Sequence, residues 1–382
     1  MKSLDQSAIR KQNVRRILDL LTLRSPQTRQ SLAEATGVSL MTVTNLIDQL
    51  KEQRVLELVP VARVDGAKHA SGRKAENISL RGNEHAWLIV DLSGLNFRYT
   101  LLGFDLCLLA ARNCSAEGPY LDRLESFLCS IREEIAVPLG GRELLGVAVV
   151  APGPYEISSD TVYNQRLPEL NAVRIKALMQ RCLGSYHYYV DEDVKFAVRA
   201  FAPLIEEDPR ELLYYLFIGE GVGGAAVHNG NMLRGLNATA GDAGQLKNAD
   251  GATYESLLSL STFASSLGCS AESTERLMDV LRLKAEECPS EYTQALGRAA
   301  AAAADMLYNV LWVLDPSHII IECRYALGHQ EAFIAQISTH LARLDAAGRR
   351  FPSIIAAPPG ISSVVRGAVQ ILQREWIEHI LA

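Results

Sequence analysis

Apolar and polar positions alternate with helical spacing along the first sixty residues. In the second of two short predicted helices, four apolar residues recur at i, i+3, i+4 and i+7: Val43, Leu46, Ile47 and Leu50. This spacing predicts an amphipathic helix with one buried stripe. Ser39 is a suitable N-cap for it, Thr28 caps the helix before it, and Gly37 supplies the turn between the two.

The opposite face of the second helix is largely polar. It carries Met41, Thr42, Thr44, Asn45, Asp48 and Gln49. Short polar side chains of this kind reach base edges when a helix lies in the major groove of DNA. Any two short amphipathic helices separated by a glycine give a similar pattern, so the elements around the pair decide the interpretation.

Those elements follow the order of a winged helix. A further helix is predicted upstream by apolar positions 14, 17, 18 and 21, and two strands are predicted downstream over residues 55–64 and 77–80. Basic residues in the loop between the strands are suited to phosphates or a minor groove. We predict a winged helix-turn-helix over residues 1–82. Its predicted DNA-binding residues are Met41, Thr42, Thr44, Asn45, Gln49, Lys68, Arg73 and Lys74.

The balance of charge changes sign at the same boundary. Residues 1–82 hold 14 Lys or Arg and 8 Asp or Glu, whereas the remaining residues hold 24 basic and 36 acidic ones, which gives the net charge of −6. A basic head on an acidic body is expected where only the head contacts a polyanion. A solvated basic face without a partner is the alternative interpretation.

Composition restricts the remaining classes. With 382 residues, of which 48% are hydrophobic, the chain is expected to form two or three globular domains. No apolar run approaches the roughly 20 residues of a membrane span and the N-terminus lacks a signal-peptide pattern, so we expect a cytoplasmic protein without membrane contact. The seven cysteines include no CxxC pair, which favours free thiols over a disulfide framework or a zinc site.

From residue 87 onward, predicted strands alternate with predicted helices. The strands cover residues 87–92, 97–104, 145–150, 186–190, 212–218 and 318–321. This order is typical of α/β sheets whose sites lie at strand ends. We predict two α/β lobes, over residues 83–196 and 197–363, and a C-terminal helix over residues 364–382 that packs back on the first lobe.

Six short segments follow predicted strands or form turns in a fixed order. They are residues 91–94 (DLSG), 152–154 (PGP), 190–193 (VDED), 219–224 (GEGVGG), 240–245 (AGDAGQ) and 254–257 (YESL). In this order and spacing the chain resembles the ROK family of repressors and sugar kinases, and residues 71–74 (SGRK) look like that family's Gly-Gly-Arg-Pro stretch. The resemblance covers nearly the whole chain. It implies a two-lobed α/β fold of the actin-like ATPase type, and the winged helix places the chain with the family's transcriptional regulators.

The departures from the family pattern distinguish kinase from regulator. Family kinases hold ATP phosphates with an Asp-x-Gly-Gly-Thr-Lys hairpin, and here Ser93 and Leu95 stand at its first-glycine and threonine positions. Glu322 and Cys323 replace the adenosine-side glycine pair, and a carboxylate there disfavours a nucleotide. The loop at residues 219–224 remains, although a tight turn explains its glycines equally well. We therefore expect that the chain is not an enzyme.

The family's zinc element is also altered. Family members that bind zinc carry Gly-His followed by a cysteine cluster, whereas this chain has Gly244 and Gln245 and neither Cys nor His over residues 246–253. Zinc requires about four such ligands. We therefore predict no structural zinc, no other metal and no cofactor.

Asp193 falls where family kinases keep the aspartate that accepts a proton from the sugar hydroxyl. No catalytic role is assigned to it, because a base is useful only opposite a phosphoryl donor. We expect Asp193 to hydrogen-bond a ligand hydroxyl, and the alternative is a strand-end carboxylate that caps the next helix.

The resemblance implies a ligand pocket that differs from the family's neutral-hexose site. Its predicted ligand-binding residues are Gly153, Arg166, Asp193, Asp242, Gln245 and Glu255. Arg166 stands for a hexose-binding asparagine, Asp242 for a glutamate and Gln245 for a histidine. A guanidinium suits carboxylate or phosphate, so an acidic sugar derivative is one expected ligand. Equally open are pairing of Arg166 with Asp242 or Glu169, and Asn164 as the true asparagine equivalent.

Together these features predict a transcriptional regulator of sugar metabolism. It would bind a double-stranded DNA operator as a homodimer or higher homo-oligomer, act as a repressor, and respond to a sugar or acidic sugar derivative bound between its lobes. Two alternatives from other classes remain. One is a sugar kinase with a DNA-binding appendage, and the other is a regulator controlled by a protein partner.

Overall fold

The computed structural model describes residues 6–60, 76–94, 96–114, 118–164, 167–202, 211–344, 350–358 and 362–380. Packing of the backbone divides the chain into two compact units. The first unit contains Met1–Phe196 and Val365–Ala382, and the second contains Ala197–Val364. The finer division at residue 82 stays a prediction.

The first unit begins with three helices and a small antiparallel sheet. The helices are α1 (Gln6–Leu23), α2 (Arg29–Thr36) and α3 (Leu40–Glu52), and the strands are β1 (Gln27–Thr28), β2 (Leu56–Pro60) and β3 (Glu76–Leu80), in the order β1-β3-β2. Strands β2 and β3 pair with Leu58 opposite Ile78. Three helices followed by a hairpin form a winged helix-turn-helix.

Local capping explains where the second and third helices start and stop. The Thr28 hydroxyl accepts a hydrogen bond from the Ser31 backbone N–H at 3.0 Å, and the Ser31 hydroxyl accepts one from the Thr28 N–H at 3.1 Å. This reciprocal pair fixes the start of α2, and Gly37 ends it with a φ of 66° that favours glycine. Ser39 caps α3 by accepting from the Thr42 N–H at 3.2 Å. The caps predicted at Thr28 and Ser39 are confirmed.

The remainder of the first unit is built on a five-stranded mixed sheet. Its elements are β4 (His85–Asp91), β5 (Phe97–Gly103), β6 (Leu108–Cys114), α4 (Tyr120–Leu139), β7 (Glu143–Ala151), β8 (Tyr155–Glu156), β9 (Thr161–Val162), α5 (Ile175–Leu183), β10 (Tyr188–Glu192) and α6 (Asp193–Arg199), which extends into the second unit. The sheet order is β10-β7-β4-β5-β6, and β10, β7 and β4 are parallel. Their carboxyl ends therefore lie at one edge.

The second unit contains another five-stranded sheet, in the order β13-β12-β11-β14-β15. Its strands are β11 (Leu212–Ile218), β12 (Val222–His228), β13 (Asn231–Met232), β14 (His318–Cys323) and β15 (Ser353–Ala356), and its helices are α7 (Tyr254–Leu258), α8 (Leu260–Ser266), α9 (Thr274–Glu287), α10 (Pro289–Leu314) and α11 (Gln330–Leu344). Buried alanines at positions 299, 300, 303 and 304 line α10, which packs against α11. The last helix, α12 (Ser363–Ile380), starts in the second unit and lies in the first from Val365.

The two-lobed α/β fold preceded by a winged helix is confirmed. Among the helices of the described ranges, none is both long and apolar enough to cross a membrane.

His85 gives the first unit a pH-dependent stability. Its half-buried imidazole lies 6.0 Å from the Phe104 ring and 6.2 Å from the Trp376 ring, measured between centroids. Burial lowers the pKa of His85 from its ordinary value of 6.5, while Glu143 and Glu84 oppose that shift. The unfolded chain therefore takes up a proton first as the pH falls through 6.5, and the folded state loses stability relative to it.

We expect the thermal midpoint of the protein to fall between pH 7.5 and pH 5.5, and His85→Gln to reduce that fall by about 1 to 2 °C. The measurement is differential scanning calorimetry of both proteins across this range. His329→Gln, at an exposed ring of the second unit, controls for the loss of a histidine. An identical pH dependence in the His85 variant and the wild type would contradict the assignment.

Candidate functional site

Helix α3 has one buried face and one exposed face. Its apolar stripe, Val43, Leu46, Ile47 and Leu50, is buried. Met41 is 74% exposed and Thr42 and Asn45 are exposed too, whereas Thr44 is half-buried. The N-terminal half of the predicted reading face is therefore accessible, which is the half that contacts base edges in helix-turn-helix proteins.

In the C-terminal half of the same face, Asp48 and Gln49 contact other residues of the winged helix. The Gln49 side-chain oxygen accepts a hydrogen bond from the Arg10 guanidinium of α1. Asp48 pairs with Arg29 at 3.1 Å, and Arg29 also approaches Glu76 of β3 at 3.6 Å. These contacts fix the orientation of α3, so Gln49 would have to exchange its Arg10 contact to reach a base. The predicted wing residues Lys68, Arg73 and Lys74 lie outside the described residues.

In the first unit, predicted ligand residues lie where the parallel strands end. Asp193 is the first residue of α6, and its half-buried carboxylate accepts from the Val194 N–H at 2.7 Å. A helix cap accepts from the N–H two or three residues further on, so this bond to the adjacent residue does not decide between the capping alternative and a ligand role. Gly153 follows β7, and its carbonyl accepts from the Asn164 amide at 2.8 Å. Asn164 also accepts from the Leu167 N–H at 3.1 Å. Arg166 lies outside the described residues.

A buried ion pair that sequence reasoning missed supports this edge. Glu192 accepts from the Lys195 ammonium, which is only 2% exposed, and from the Tyr155 N–H at 2.9 Å. Burial raises the pKa of Glu192, while Lys195 and the Tyr155 N–H lower it. A Cβ added at Gly153 would lie 2.5 Å from a Glu192 carboxylate oxygen, so a larger residue there would displace the Glu192 side chain from its bonds to Lys195 and Tyr155. In the sequence, this ion pair is indicated only by the spacing of Lys195, which lies one helical turn after the strand-end carboxylate of Glu192.

The remaining predicted ligand residues belong to the second unit. The Gln245 amide donates to Glu255 at 3.3 Å, and a Cβ at Gly221 would lie 3.6 Å from the same carboxylate. Asp242 and Glu255 are half-buried, and Gln245 is exposed. Thus Gln245, Glu255 and the loop between β11 and β12 converge, and carboxylates with an amide can bind several sugar hydroxyls.

The positions that depart from the kinase pattern are occupied by local hydrogen bonds. Glu322 accepts from the Tyr215 hydroxyl at 2.8 Å and from the Ser363 hydroxyl at 2.6 Å. Ser93 donates to Asp91 through both its N–H, at 2.9 Å, and its hydroxyl, at 2.6 Å. Leu95 lies outside the described residues. The Glu322 carboxylate is therefore held in place by two donors of its own unit.

Two α/β lobes of the actin-like ATPase type, preceded by a winged helix, define the fold class of this chain. The ROK family model matches residues 122–375, and this chain belongs to the ROK family. No match was found among curated proteins.

Solved structures share the fold at low identity. A ROK family transcriptional regulator, described as a homologue of the E. coli Mlc protein, is 14% identical, with a TM-score of 0.66 and 97% of each chain covered. A ROK glucokinase from Streptomyces griseus in complex with glucose and AMPPNP is 15% identical, with a TM-score of 0.59 over 75% of this chain and 98% of that one. A ROK protein from Streptococcus pneumoniae in complex with sucrose is 17% identical, with a TM-score of 0.59 over 76% and 98%.

The expectation that the chain is not an enzyme is wrong on these findings. The Streptomyces griseus glucokinase and a ROK hexokinase from Thermus thermophilus share the two-lobed fold over 98% and 97% of their own lengths. The lobes share their fold with sugar kinases as well as with a regulator. The departures at Ser93 and Glu322 therefore do not decide against catalysis.

Close packing of the second-unit site at Gly244 generates a stability prediction. A Cβ at Gly244 would overlap the Val222 backbone carbonyl, which cannot rotate away, whereas a Cβ at Gly221 meets only ordinary contacts. We expect Gly244→Ala to destabilise the second unit by about 1 to 3 kcal/mol and Gly221→Ala to be close to neutral. Thermal unfolding followed by calorimetry measures both. Equal midpoints for the two variants would show that the β12 backbone yields to the added methyl group.

Proposed function

We propose that this chain is a DNA-binding transcriptional repressor whose affinity for an operator is set by a sugar or acidic sugar derivative. The observation that carries the proposal is the exposed N-terminal face of α3, held by caps at both helix starts and by the Arg29–Asp48 pair. A buried stripe opposite an exposed polar face is the requirement for major-groove reading.

Likeness to the Mlc-type regulator supports the proposal, because it extends over 97% of this chain, whereas the glucokinase covers 75%. The net positive charge of residues 1–82 supports contact with phosphates. A symmetric homodimer or higher homo-oligomer would place two winged helices on two half-sites, and the protein would act in the cytoplasm with its operator.

A sugar-type effector is supported by the side chains at the strand ends and turns of each unit. Asp193 in the first unit and Gln245 and Glu255 in the second supply acceptors and a donor for hydroxyl groups. The Streptococcus pneumoniae relative binds sucrose and the Streptomyces griseus relative binds glucose. An acidic derivative is favoured if Arg166 contributes its guanidinium.

Base reading by α3 predicts a sequence-specific loss in Asn45→Ala. We expect this variant to lose about 1 to 3 kcal/mol on the selected operator and little on random duplex, because a base-edge contact is absent from non-specific complexes. The operator is first selected from a random duplex library, and binding is then measured by anisotropy at several salt concentrations. Asn113→Ala, at an exposed asparagine of β6, is the matched control. Equal losses on both duplexes would remove Asn45 from the base-reading set.

Effector binding predicts a matched pair of carboxylate variants. The sugar is first identified by the shift that it causes in the thermal midpoint. We expect Glu255→Gln to lower the affinity for this sugar about tenfold, because a charged acceptor becomes a neutral amide. Glu272→Gln, at an exposed side chain of the same unit, should leave the affinity unchanged. Calorimetry with neutral, phosphorylated and uronic forms of that sugar measures both variants. Tighter binding of the neutral form, or no effect of Arg166→Gln, would exclude an acidic effector.

Sugar phosphorylation is a second candidate function, favoured by Asp193 at the kinase-base position and by the shared kinase fold. A coupled ADP-release assay with a hexose panel tests it. Turnover that Asp193→Asn abolishes and Asp250→Asn preserves would assign kinase activity to the lobes. Binding without turnover would leave the sugar as an effector.

A further inference from the structure

Helix α12 has an apolar face that is anchored in the sheet of the first unit. Leu372 contacts Gly146 of β7 so closely that a Cβ there would lie 3.1 Å from a leucine methyl carbon. Trp376 packs edge-on against Phe104, with 5.4 Å between ring centroids. Apolar burial of this kind is the main source of stability in packed helices, so this side of α12 is fixed.

The other face of α12 meets α1 of the winged helix through polar side chains. Four pairs join the antiparallel helices: Lys11–Glu378, Arg15–Glu378, Asp19–Arg374 and Thr22–Gln373. The Lys11–Glu378 distance is 2.9 Å, the Asp19–Arg374 distance 3.2 Å and the Thr22–Gln373 distance 3.0 Å. We refer to these seven residues as the polar seam.

The polar seam and its neighbour Gln370 bury polar atoms that the protein leaves without partners. Within the described part of the chain, both amide atoms of Gln370 have no hydrogen-bond partner, and neither do Gln373 Nε2, Arg374 Nε and Arg15 Nε. Gln370 and Gln373 are each 1% exposed. A buried polar atom without a partner costs stability, so these atoms oppose closure of the contact and offset part of what its ion pairs contribute.

The ion pair in the middle of the polar seam, Asp19–Arg374, also contributes little net stability to the contact. Burial raises the pKa of the Asp19 carboxyl, and the Arg374 and Arg15 guanidinium groups compensate only in part. Replacing a buried ion pair by apolar side chains of similar volume is often neutral or stabilising. Such a pair therefore fixes the alignment of the two helices more than it stabilises their contact.

Each helix of the polar seam is anchored to a different core. The apolar face of α1, Val14, Ile17, Leu18 and Leu21, is buried, and α1 packs on α2 and β3 within the winged helix. The apolar face of α12 belongs to the sheet of the lobe. Opening of the polar seam would therefore break neither core and would hydrate groups that are poorly satisfied when it is closed.

We propose that the polar seam between α1 and α12 is a releasable joint, through which the first lobe holds or frees the winged helix. The register of the pairs defines one closed orientation, and the unpartnered atoms offset part of its stability relative to the open state. Any effect of the joint on DNA binding rests on the proposed function. Opening of the polar seam does not depend on that function.

The opening is measured with a buried reporter. Thr22 is 5% exposed, so a cysteine placed there by Thr22→Cys reacts with a soluble alkylating agent only when the polar seam opens. The alkylation rate at residue 22 is read by peptide mass spectrometry in the full chain, which separates it from the native cysteines. Each further substitution is added to this reporter.

Two substitutions should move the rate in opposite directions. Glu378→Lys replaces two ion pairs by repulsion from Lys11 and Arg15, and we expect it to raise the rate about tenfold. The double variant Asp19→Leu with Arg374→Leu makes the centre of the joint apolar, and we expect it to lower the rate by a similar factor, about tenfold. Glu287→Lys, at an exposed glutamate of α9, makes the same charge change elsewhere and should leave the rate unchanged.

Equal rates in the reporter, Glu378→Lys and Glu287→Lys would overturn the joint, and this comparison remains decisive if the leucine pair fails to fold by circular dichroism. Operator affinity measured on the same variants separates the two proposals. A shifted alkylation rate with unchanged operator affinity would keep the joint and remove its regulatory role. An unchanged rate would remove the joint whatever the DNA result.

Discussion

The packing of α12 on β7 is the contact on which the arrangement of the first unit depends. Leu372 packs so closely on Gly146 that a side chain there would push it back by a few tenths of an ångström, and Trp376 completes the contact against Phe104. Helix α12 thereby packs on one face of the sheet of the first unit. Because α12 is held by this apolar face, its opposite face is available to α1, and the winged helix gains a surface to lie on.

Charge and glycine have complementary roles at the strand ends. Glu192 and Lys195 are buried together beside Gly153, where burial alone would favour a neutral carboxyl and the lysine opposes that effect. In the second unit, Glu322 is held by Tyr215 and Ser363. The same fold serves regulators and kinases among its relatives, because function depends on side chains placed on a shared backbone rather than on the backbone itself.

Elements with one strongly apolar face were predictable from the sequence. Helix α3 and strand β11 lie where periodicity and composition place them, because each buries a continuous apolar stripe. Strands β6 and β15 were not predicted. They are edge strands with largely exposed or half-buried residues, so no alternating apolar pattern marks them. Backbone pairing with a neighbour, rather than side-chain burial, makes them strands.

The sequence by itself determined the helix caps, the buried stripe of α3, the glycine turns and the family, since each depends on residues close together in the chain or on their fixed order. Tertiary structure alone decided that Arg10 engages Gln49, that Glu192 is buried with Lys195, and that α1 lies on α12. The first and last of these contacts join residues far apart in the chain, and no local pattern encodes them. The Glu192–Lys195 spacing was visible, but its burial depends on how Gly153 and Tyr155 of another segment close over it.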